Sequence, residues 1–204
     1  GVSDTTLADP AAGRGEFFNV LTEGDDSMTT VTGTLSGTDP EGDTLAYSIS
    51  GSIEVDGIYT ATGSYGTLVV NKTSGEYTYT IDNSDSDTNA IAAGTTVEET
   101  FTVRTTDGTN RASQVLTIKI TGTNDTPVLT VPTGGALTEG ASTTTVTDTL
   151  SATDAEAGSL TFSVVGETAS AGVYSVTGTY GSISLNATTG AYTYTLNNSD
   201  ADTV

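Results

Sequence analysis

The chain contains no cysteine and no histidine, and only 5 of its 204 residues are basic. Without cysteine, neither disulfides nor thiolate metal sites can stabilise the fold. Without histidine, imidazole-dependent catalytic triads and the usual zinc sites are excluded. Any structural metal must therefore be a hard cation that is held by oxygen ligands.

The scarcity of basic residues leaves a formal net charge of −21, with 26 acidic side chains. Nucleic acid and direct contact with an anionic membrane are excluded as partners, because both need a basic surface. Carboxylates at this density repel one another and destabilise a compact state unless cations lie among them. The alternative is that the acidity only keeps the protein soluble, and clustering of the carboxylates distinguishes the two.

Long apolar runs are missing as well. No segment approaches the ~18 apolar residues of a membrane span, and we expect no signal peptide within these residues. Hydrophobic residues make up 34% of the chain, which suits thin cores between short strands rather than a deep helical core. We expect a mature fragment of a longer precursor.

An internal repeat runs through the chain. Tyr77-Thr78-Tyr79-Thr80 returns as Tyr192-Thr193-Tyr194-Thr195, which is 115 residues later (192 − 77 = 115). Residues 29–88 align without a gap with residues 144–203, and roughly half of the positions are identical. The chain therefore contains two copies of one module.

The two copies divide the chain unequally. We predict a first module over residues 1–123, with residues 1–15 as a lead-in, an acidic linker over residues 124–127, and a second module over residues 128–204. The counterparts of residues 90–123 would lie beyond the last residue, so we expect the second module to lack its C-terminal strands. An open strand edge is a template for pairing, which predicts either partial disorder or strand exchange with another copy.

Apolar and polar residues alternate along short segments of both copies, as at residues 45–49 and at their counterparts 160–164. Such alternation is typical of strands with one face towards a core and one towards water. Turn residues, among them Ser74-Gly75 and Asp107-Gly108, separate these segments at intervals of about ten residues. We predict an all-β sandwich of about seven strands in each copy.

Five motifs occur in order along the chain: Val31-Thr32-Gly33-Thr34-Leu35, Thr38-Asp39, Gly66-Thr67-Leu68, Gly75-Glu76-Tyr77-Thr78-Tyr79 and Thr121-Gly122-Thr123-Asn124-Asp125-Thr126-Pro127. With these motifs the sequence resembles the VCBS repeat family, which consists of bacterial cadherin-like modules of large secreted adhesins of the RTX, type I secreted kind. The resemblance spans nearly the whole chain. It implies tandem immunoglobulin/cadherin-like Greek-key β-sandwiches that serve as a stalk or extender on the bacterial cell surface.

Cadherins bind Ca²⁺ between consecutive modules, and the resemblance implies such sites here. The residues implied for an intermodule calcium are Glu23, Asp85, Asp87, Asn124, Asp125, Asp154 and Glu156. The residues implied for the opposite, N-terminal end of the first module are Asp39, Glu41 and Asp107. The match is partial, because Glu41 and Glu156 are longer than the family's aspartate and Thr126 replaces the last asparagine of the linker.

Two acidic turns favour calcium without reference to any family. The turns at residues 39–43 and 82–87 each contain three acidic residues. Calcium needs six to eight oxygen ligands, and carboxylates two residues apart can converge in a turn. The alternative is that these are ordinary solvated turns, since Asp and Asn favour turns anyway.

The sequence therefore predicts a calcium-stabilised extracellular spacer that contacts neighbouring repeats of the same polypeptide. Paired carboxylates could also serve a glycosidase, but acidic turns repeated in both copies suit a structural role better, and we do not expect an enzyme. The alternative function is an adhesive module that recognises a glycan or a host protein. An adhesive module predicts one copy with a long divergent loop. The most divergent stretch, residues 53–60 against 168–175, has no insertion, which favours the spacer.

Overall fold

The computed structural model describes residues 6–8, 20–24 and 29–199. These residues form 17 strands and one helix of four residues, so the predicted all-β fold is confirmed. Among them, no helix is long and apolar enough to cross a membrane. The chain divides into two compact units, Gly1–Asp125 (unit 1) and Thr126–Val204 (unit 2).

Unit 1 contains two main sheets, with strand orders β2-β11-β10-β5 and β3-β9-β8-β7-β6. Its strands are β1 Thr6–Ala8, β2 Val20–Thr22, β3 Thr30–Thr34, β4 Ser36–Thr38, β5 Ala46–Ile49, β6 Glu54–Val55, β7 Ile58–Thr62, β8 Gly66–Asn71, β9 Glu76–Ile81, β10 Thr96–Thr106 and β11 Arg111–Thr121. The helix α1, Ser86–Asn89, follows β9. A separate antiparallel pair joins β4 to β1, which lies within the predicted lead-in.

The core of unit 1 lies between its two main sheets. In β8 and β9 every second residue is buried, as the alternation predicts. The five-stranded sheet and the four-stranded sheet both contribute to one cluster of buried side chains, which includes Leu68, Val70, Tyr77, Tyr79, Ile81, Phe101, Val103, Leu116, Ile118 and Ile120. Each fully buried aliphatic or aromatic side chain of this kind contributes roughly 1.5–3 kcal/mol. The two sheets therefore stabilise each other through a single core.

A long hairpin occupies the centre of the four-stranded sheet. Strands β10 and β11 pair along their whole length, from Thr96↔Thr121 to Thr106↔Arg111. On one side β5 pairs antiparallel with β10, and on the other side β2 pairs parallel with β11. Because β2 and β5 form ladders only with this hairpin, their strand structure depends on it.

Strand pairing also defines the two ends of unit 1. Thr22 lies opposite Thr121, so the residues after β2 and after β11 leave the sheet at the same end. Ala46 lies opposite Thr106, so the segment before β5 and the Asp107 turn meet at the other end. We refer to these as the linker end and the far end of unit 1.

Unit 2 repeats part of this architecture. Its strands are β12 Val128–Thr130, β13 Thr145–Thr149, β14 Ser151–Thr153, β15 Val173–Thr177, β16 Gly181–Asn186 and β17 Ala191–Leu196. The order β13-β17-β16-β15 reproduces β3-β9-β8-β7 of unit 1, and the pair β12–β14 reproduces β1–β4. Leu185 is the one hydrophobic side chain of unit 2 that is fully buried among the described residues.

The strand predicted at residues 160–164 does not form. The backbone nevertheless follows the same path as residues 45–49. The Phe162 N–H donates to the Ala187 carbonyl at 2.8 Å, just as the Tyr47 N–H donates to the Lys72 carbonyl at 2.8 Å. In unit 1 this path becomes β5 only by pairing with β10. No strand in the described part of unit 2 takes the place of β10, so the side-chain alternation has no ladder to join.

Candidate metal site

Glu23 lies at the linker end of unit 1 and is 1% exposed. Its carboxylate Oε2 accepts hydrogen bonds from the Thr123 backbone N–H at 2.8 Å and from the Thr123 hydroxyl at 3.1 Å. The same hydroxyl lies 3.0 Å from the Glu23 carbonyl oxygen. A buried carboxylate needs such donors, because its desolvation is otherwise costly. Glu23 is therefore attached to the residue that directly precedes Asn124 and Asp125.

The loop at residues 82–87 meets the same end. The Gly24 N–H donates to the Asn83 side-chain oxygen at 3.3 Å. The Ser84 hydroxyl and backbone N–H both donate to Asp82 Oδ1, at 2.6 and 3.0 Å, and these bonds hold the pKa of Asp82 below its ordinary value. This loop is therefore anionic and fixed next to the residue after Glu23.

The remaining predicted residues of this end have local roles. Asp85 caps the N-terminus of α1, where its Oδ1 accepts from the Asp87 N–H at 2.8 Å. The exposed Asn124 side chain donates to the Asp125 carbonyl at 2.6 Å. Among the described residues, no group of three or more acidic side chains is close enough to hold a metal ion. The fold thus brings three segments together without gathering their carboxylates.

The far end of unit 1 contains the other acidic turn. Asp39 Oδ1 accepts from the backbone N–H groups of Glu41 at 3.0 Å and Asp43 at 2.9 Å, and Gly42 has φ of +80°. The second oxygen, Asp39 Oδ2, is buried and meets no hydrogen-bond donor in the described part of the chain. Asp107 lies in the turn between β10 and β11, where its Oδ1 accepts from the backbone N–H groups of Thr109 and Asn110. An orphaned carboxylate oxygen is the type of ligand atom that a hard cation takes, but no group of three acidic side chains forms around it among the described residues.

Asp154 and Glu156 lie in unit 2, whereas the other residues predicted for the intermodule calcium lie in unit 1. They form the counterpart of the Asp39 turn. The Ala157 N–H donates to the Asp154 carbonyl at 3.2 Å, and Ala157 has φ of +54°. Both acidic residues are half-buried.

The sequence of unit 1 matches a known protein family. Residues 9–122, more than half of the chain, match the family model of the bacterial cadherin-like domain. The chain belongs to this family. Cadherin-like domains are typically structural or adhesion modules and generally bind calcium, although the described part of this chain contains no assembled metal site.

Among solved structures, the chain is similar to human protocadherin-24 EC1-2, with 15% sequence identity and a TM-score of 0.38. That similarity covers 98% of this bacterial cadherin-like chain and 82% of the protocadherin chain. Among curated proteins, no sequence matches at a significant level.

One buried carboxylate of the bacterial cadherin-like unit was not predicted as functional. Glu99, on β10, is 7% exposed, and it accepts hydrogen bonds from the Ser64 N–H, the Tyr65 N–H at 3.1 Å and the Tyr79 hydroxyl at 2.6 Å. Burial, together with the hydrogen bond to Glu99, raises the pKa of Tyr79 far above its ordinary value. A Cβ at Gly63 would overlap the Glu99 carboxylate.

The sequence does carry a signal for Glu99. It precedes Phe101 and Val103 in a period of two, so it occupies an inward-facing position of an alternating strand. A glutamate in that register must be paired if it is to be buried, because an unpaired buried charge is too costly.

Proposed function

We propose that the chain is a calcium-stabilised spacer of a bacterial cell-surface adhesin, built of VCBS-type repeats whose partners are the neighbouring repeats of the same polypeptide. Membership of the bacterial cadherin-like family supports an adhesion or extender role. The observation that carries the proposal is the attachment of Glu23 to Thr123, with the 82–87 loop beside it. This contact makes the entrance to the linker a fixed part of unit 1.

Calcium would draw its ligands from segments that already meet at this entrance, and its binding would gather their side chains. Glu23 supplies a buried carboxylate, the 82–87 loop supplies aspartates, and Asn124-Asp125 supplies an amide and a carboxylate. Asp154 and Glu156 are proposed to complete the set from unit 2. At the far end, Asp39 with its orphaned Oδ2, Glu41 and Asp107 are proposed to hold a second ion.

The shape of the most divergent loop supports a spacer over an adhesive module. In unit 1 the turn has Asp56 at φ +51° and Gly57 at φ +80°. In unit 2 the counterparts are Ala171 at φ +49° and Gly172 at φ +78°. Two successive residues with positive φ form the tight turn that joins two strands. The turn is thus the same where the sequence differs most, which gives no support to a special binding loop in one of the copies.

Thermal unfolding with calcium and with chelator tests the proposal. A ligand at 100 times its Kd stabilises by roughly 2.7 kcal/mol, which raises the Tm of a ~100-residue domain by about 10–20 °C. We expect this rise with calcium, and a smaller one with magnesium, which demands a more regular cage. Glu23→Gln should reduce the rise, whereas Glu76→Gln, at an exposed position of β9, should leave it unchanged.

Small-angle scattering of the same samples tests the spacer role separately from ion binding. Calcium should lengthen the average end-to-end dimension, because ions that bridge the linker oppose bending. Identical melting curves in calcium and in chelator would remove calcium from the proposal. A calcium-dependent Tm with unchanged scattering would keep the ion and remove the stiffening of the joint.

A further inference from the structure

Unit 2 carries an apolar groove of about 510 Å³. Side chains that line it include Leu137, Val146, Tyr180, Ile183, Tyr192 and Tyr194. The counterparts of the last three in unit 1 are Leu68, Tyr77 and Tyr79, which are 0%, 4% and 0% exposed. In unit 2 the same three positions are only half-buried. The groove is therefore the core-facing side of a sheet, and no described segment of unit 2 covers it as the hairpin covers unit 1.

Unit 1 shows what covers this face. There the β10–β11 hairpin packs over β8 and β9, and its Phe101 ring lies 5.9 Å from the ring of Tyr79. The hairpin is held between β2 and β5. Since the two units share one repeat, a segment that binds this face of unit 2 should resemble the β10–β11 hairpin that packs on it in unit 1.

By the repeat, two segments should border the groove, and neither has a ladder partner within the described part of the chain. The counterparts of β2 are residues 136–138, and those of β5 are residues 161–164. Neither segment is a strand. In unit 1 both become strands by pairing with β10 or β11 alone. By comparison with unit 1, the gap in unit 2 would accept two strands between two edges that can pair.

A receptor for a carboxylate is already formed beside the groove. In unit 1 the loop that binds Glu99 is closed by the Gly63 N–H, which donates to the Gly66 carbonyl at 2.8 Å. In unit 2 the Gly178 N–H donates to the Gly181 carbonyl at 2.7 Å, so the loop has the same closed form. It presents the backbone N–H groups of Thr179 and Tyr180, the counterparts of the donors to Glu99.

The hydroxyl that completes the receptor is also in place. The Tyr194 hydroxyl lies 2.8 Å from the position that a Cβ would take at Gly181, and the Tyr79 hydroxyl lies 2.6 Å from the same point at Gly66. Within the described part of the chain, no side chain accepts a hydrogen bond from Tyr194 or from the Thr179 N–H. Tyr180 is 55% exposed. Three donors therefore converge where Glu99 lies in unit 1.

Charge favours the same occupant. Residues 126–204 contain seven acidic side chains and no basic one, whereas residues 96–121 contain three of each sign. That segment holds three of the five basic residues of the chain. A hairpin of this composition approaches unit 2 without the net repulsion that other parts of this acidic protein would meet.

We propose that the groove of unit 2 is a docking site for a β-hairpin of the β10–β11 kind, with a glutamate at the position of Glu99. The hairpin inserts between residues 136–138 and 161–164, and its carboxylate accepts from Thr179, Tyr180 and Tyr194. A second copy can donate its hairpin only by uncovering its own unit 1, so exchange between copies gains no net burial. The occupant is therefore a hairpin that is not already held in a sandwich.

Binding of a labelled peptide of residues 96–121 to the full 204-residue chain tests the proposal. We expect saturable binding with one peptide per chain. The peptide with Glu99→Gln should bind roughly tenfold more weakly, because it loses a charged acceptor. Hydrogen exchange should show new protection of the amides at residues 161–164, which become part of a ladder.

A glycine variant separates docking in unit 2 from exchange into unit 1. The Cβ of Gly178→Ala meets only the Gly181 carbonyl, at 3.6 Å, so the variant should fold unchanged by circular dichroism. By the repeat, that Cβ stands where the docked carboxylate must lie, and binding should fall at least tenfold. Gly158→Ala, whose Cβ has nothing within 4 Å, is the matched control and should bind normally.

Three results would overturn the proposal. The first is the absence of saturable peptide binding up to ~100 μM. The second is binding that neither Glu99→Gln in the peptide nor Gly178→Ala in the chain weakens, which would mean exchange into unit 1 or nonspecific adhesion. The third is a dimer in analytical ultracentrifugation in which residues 161–164 are already protected, which would assign the groove to a second copy.

Discussion

Replacing Glu99 with alanine tests whether the buried carboxylate holds the loop at residues 63–66 to the core of unit 1. The change leaves the Tyr79 hydroxyl, on a residue that is 0% exposed, without its acceptor. It also removes the acceptor of two backbone N–H groups, which solvent can partly satisfy because Ser64 is exposed. An unsatisfied buried donor costs about 1–3 kcal/mol, and the new cavity adds to that. The variant no longer has to bury a charged carboxylate, and this gain offsets part of the loss in stability.

We therefore expect Glu99→Ala to lower the free energy of unfolding of unit 1 by about 3 kcal/mol. The matched control is the neighbouring Glu98→Ala. Glu98 has a side chain that is 57% exposed and pairs with Lys119 at 3.3 Å. A surface pair of this kind contributes ~0–1 kcal/mol, so the control should be nearly neutral. Tyr79→Phe removes one of the three bonds and should cost about 1–2 kcal/mol.

Urea unfolding followed by far-UV circular dichroism gives the midpoints, because the chain has no tryptophan to report. Hydrogen exchange of fragments from β8 to β10 assigns the change to unit 1. A double-mutant cycle of Glu99→Ala with Tyr79→Phe should show a coupling of about 1–3 kcal/mol. Equal midpoints for Glu99→Ala and Glu98→Ala, or a coupling below ~0.5 kcal/mol, would refute the reasoning.

Three further outcomes are expected. Gly63→Ala should destabilise unit 1 by about 1–3 kcal/mol, since its Cβ overlaps a fixed carboxylate, whereas Gly178→Ala should stay within ~0.5 kcal/mol in the same urea titration. The pKa of Tyr79 is raised in the folded state, so the stability that Tyr79 contributes is complete below its unfolded pKa of about 10 and is lost as the pH rises further. The urea midpoint should therefore decrease as the pH rises above 10, and this decrease should be smaller in Tyr79→Phe. Asp154→Ala should weaken calcium binding, measured by calorimetry, without changing the melting of unit 1. The exposed control Glu167→Ala should bind calcium normally. An unaltered calcium affinity in Asp154→Ala would mean that Asp154 is only a turn residue.

Much of the fold follows from local patterns that the chain carries itself. The period of two at residues 76–81 predicts β9, and the Ser74-Gly75 turn before it has the positive φ of +72° that glycine allows. Residues 160–164 show where this reasoning stops. Their alternation matches that of residues 45–49, yet a strand also needs a partner to pair with, and pairing is a property of distant residues. Side-chain pattern predicts which face is apolar, not whether a ladder exists.

The sequence predicted which segments would meet at the candidate site, but it did not predict the hydrogen bonds that their side-chain oxygens make. The sequence pointed to Glu23, the 82–87 loop and Asn124-Asp125, and the fold joins these segments through Thr123 and Asn83. It gave no indication that Asp85 and Asp39 would direct one oxygen each to nearby backbone N–H groups. Capping a turn and binding an ion both need carboxylates, so residue type alone cannot separate the two roles.

The parallel pairing of β2 with β11 has a mechanical consequence. The chain enters this ladder at Val20 and leaves it at Thr121, so a pull along the chain acts on opposite ends of two strands that run the same way. Such a load shears the hydrogen bonds of Val20–Thr22 all at once instead of opening them one by one. The bonds between Glu23 and Thr123 lie directly after the ladder and share the load. We expect unit 1 to resist stretching between its ends more strongly than stretching across the β10–β11 hairpin, where the bonds would unzip in sequence.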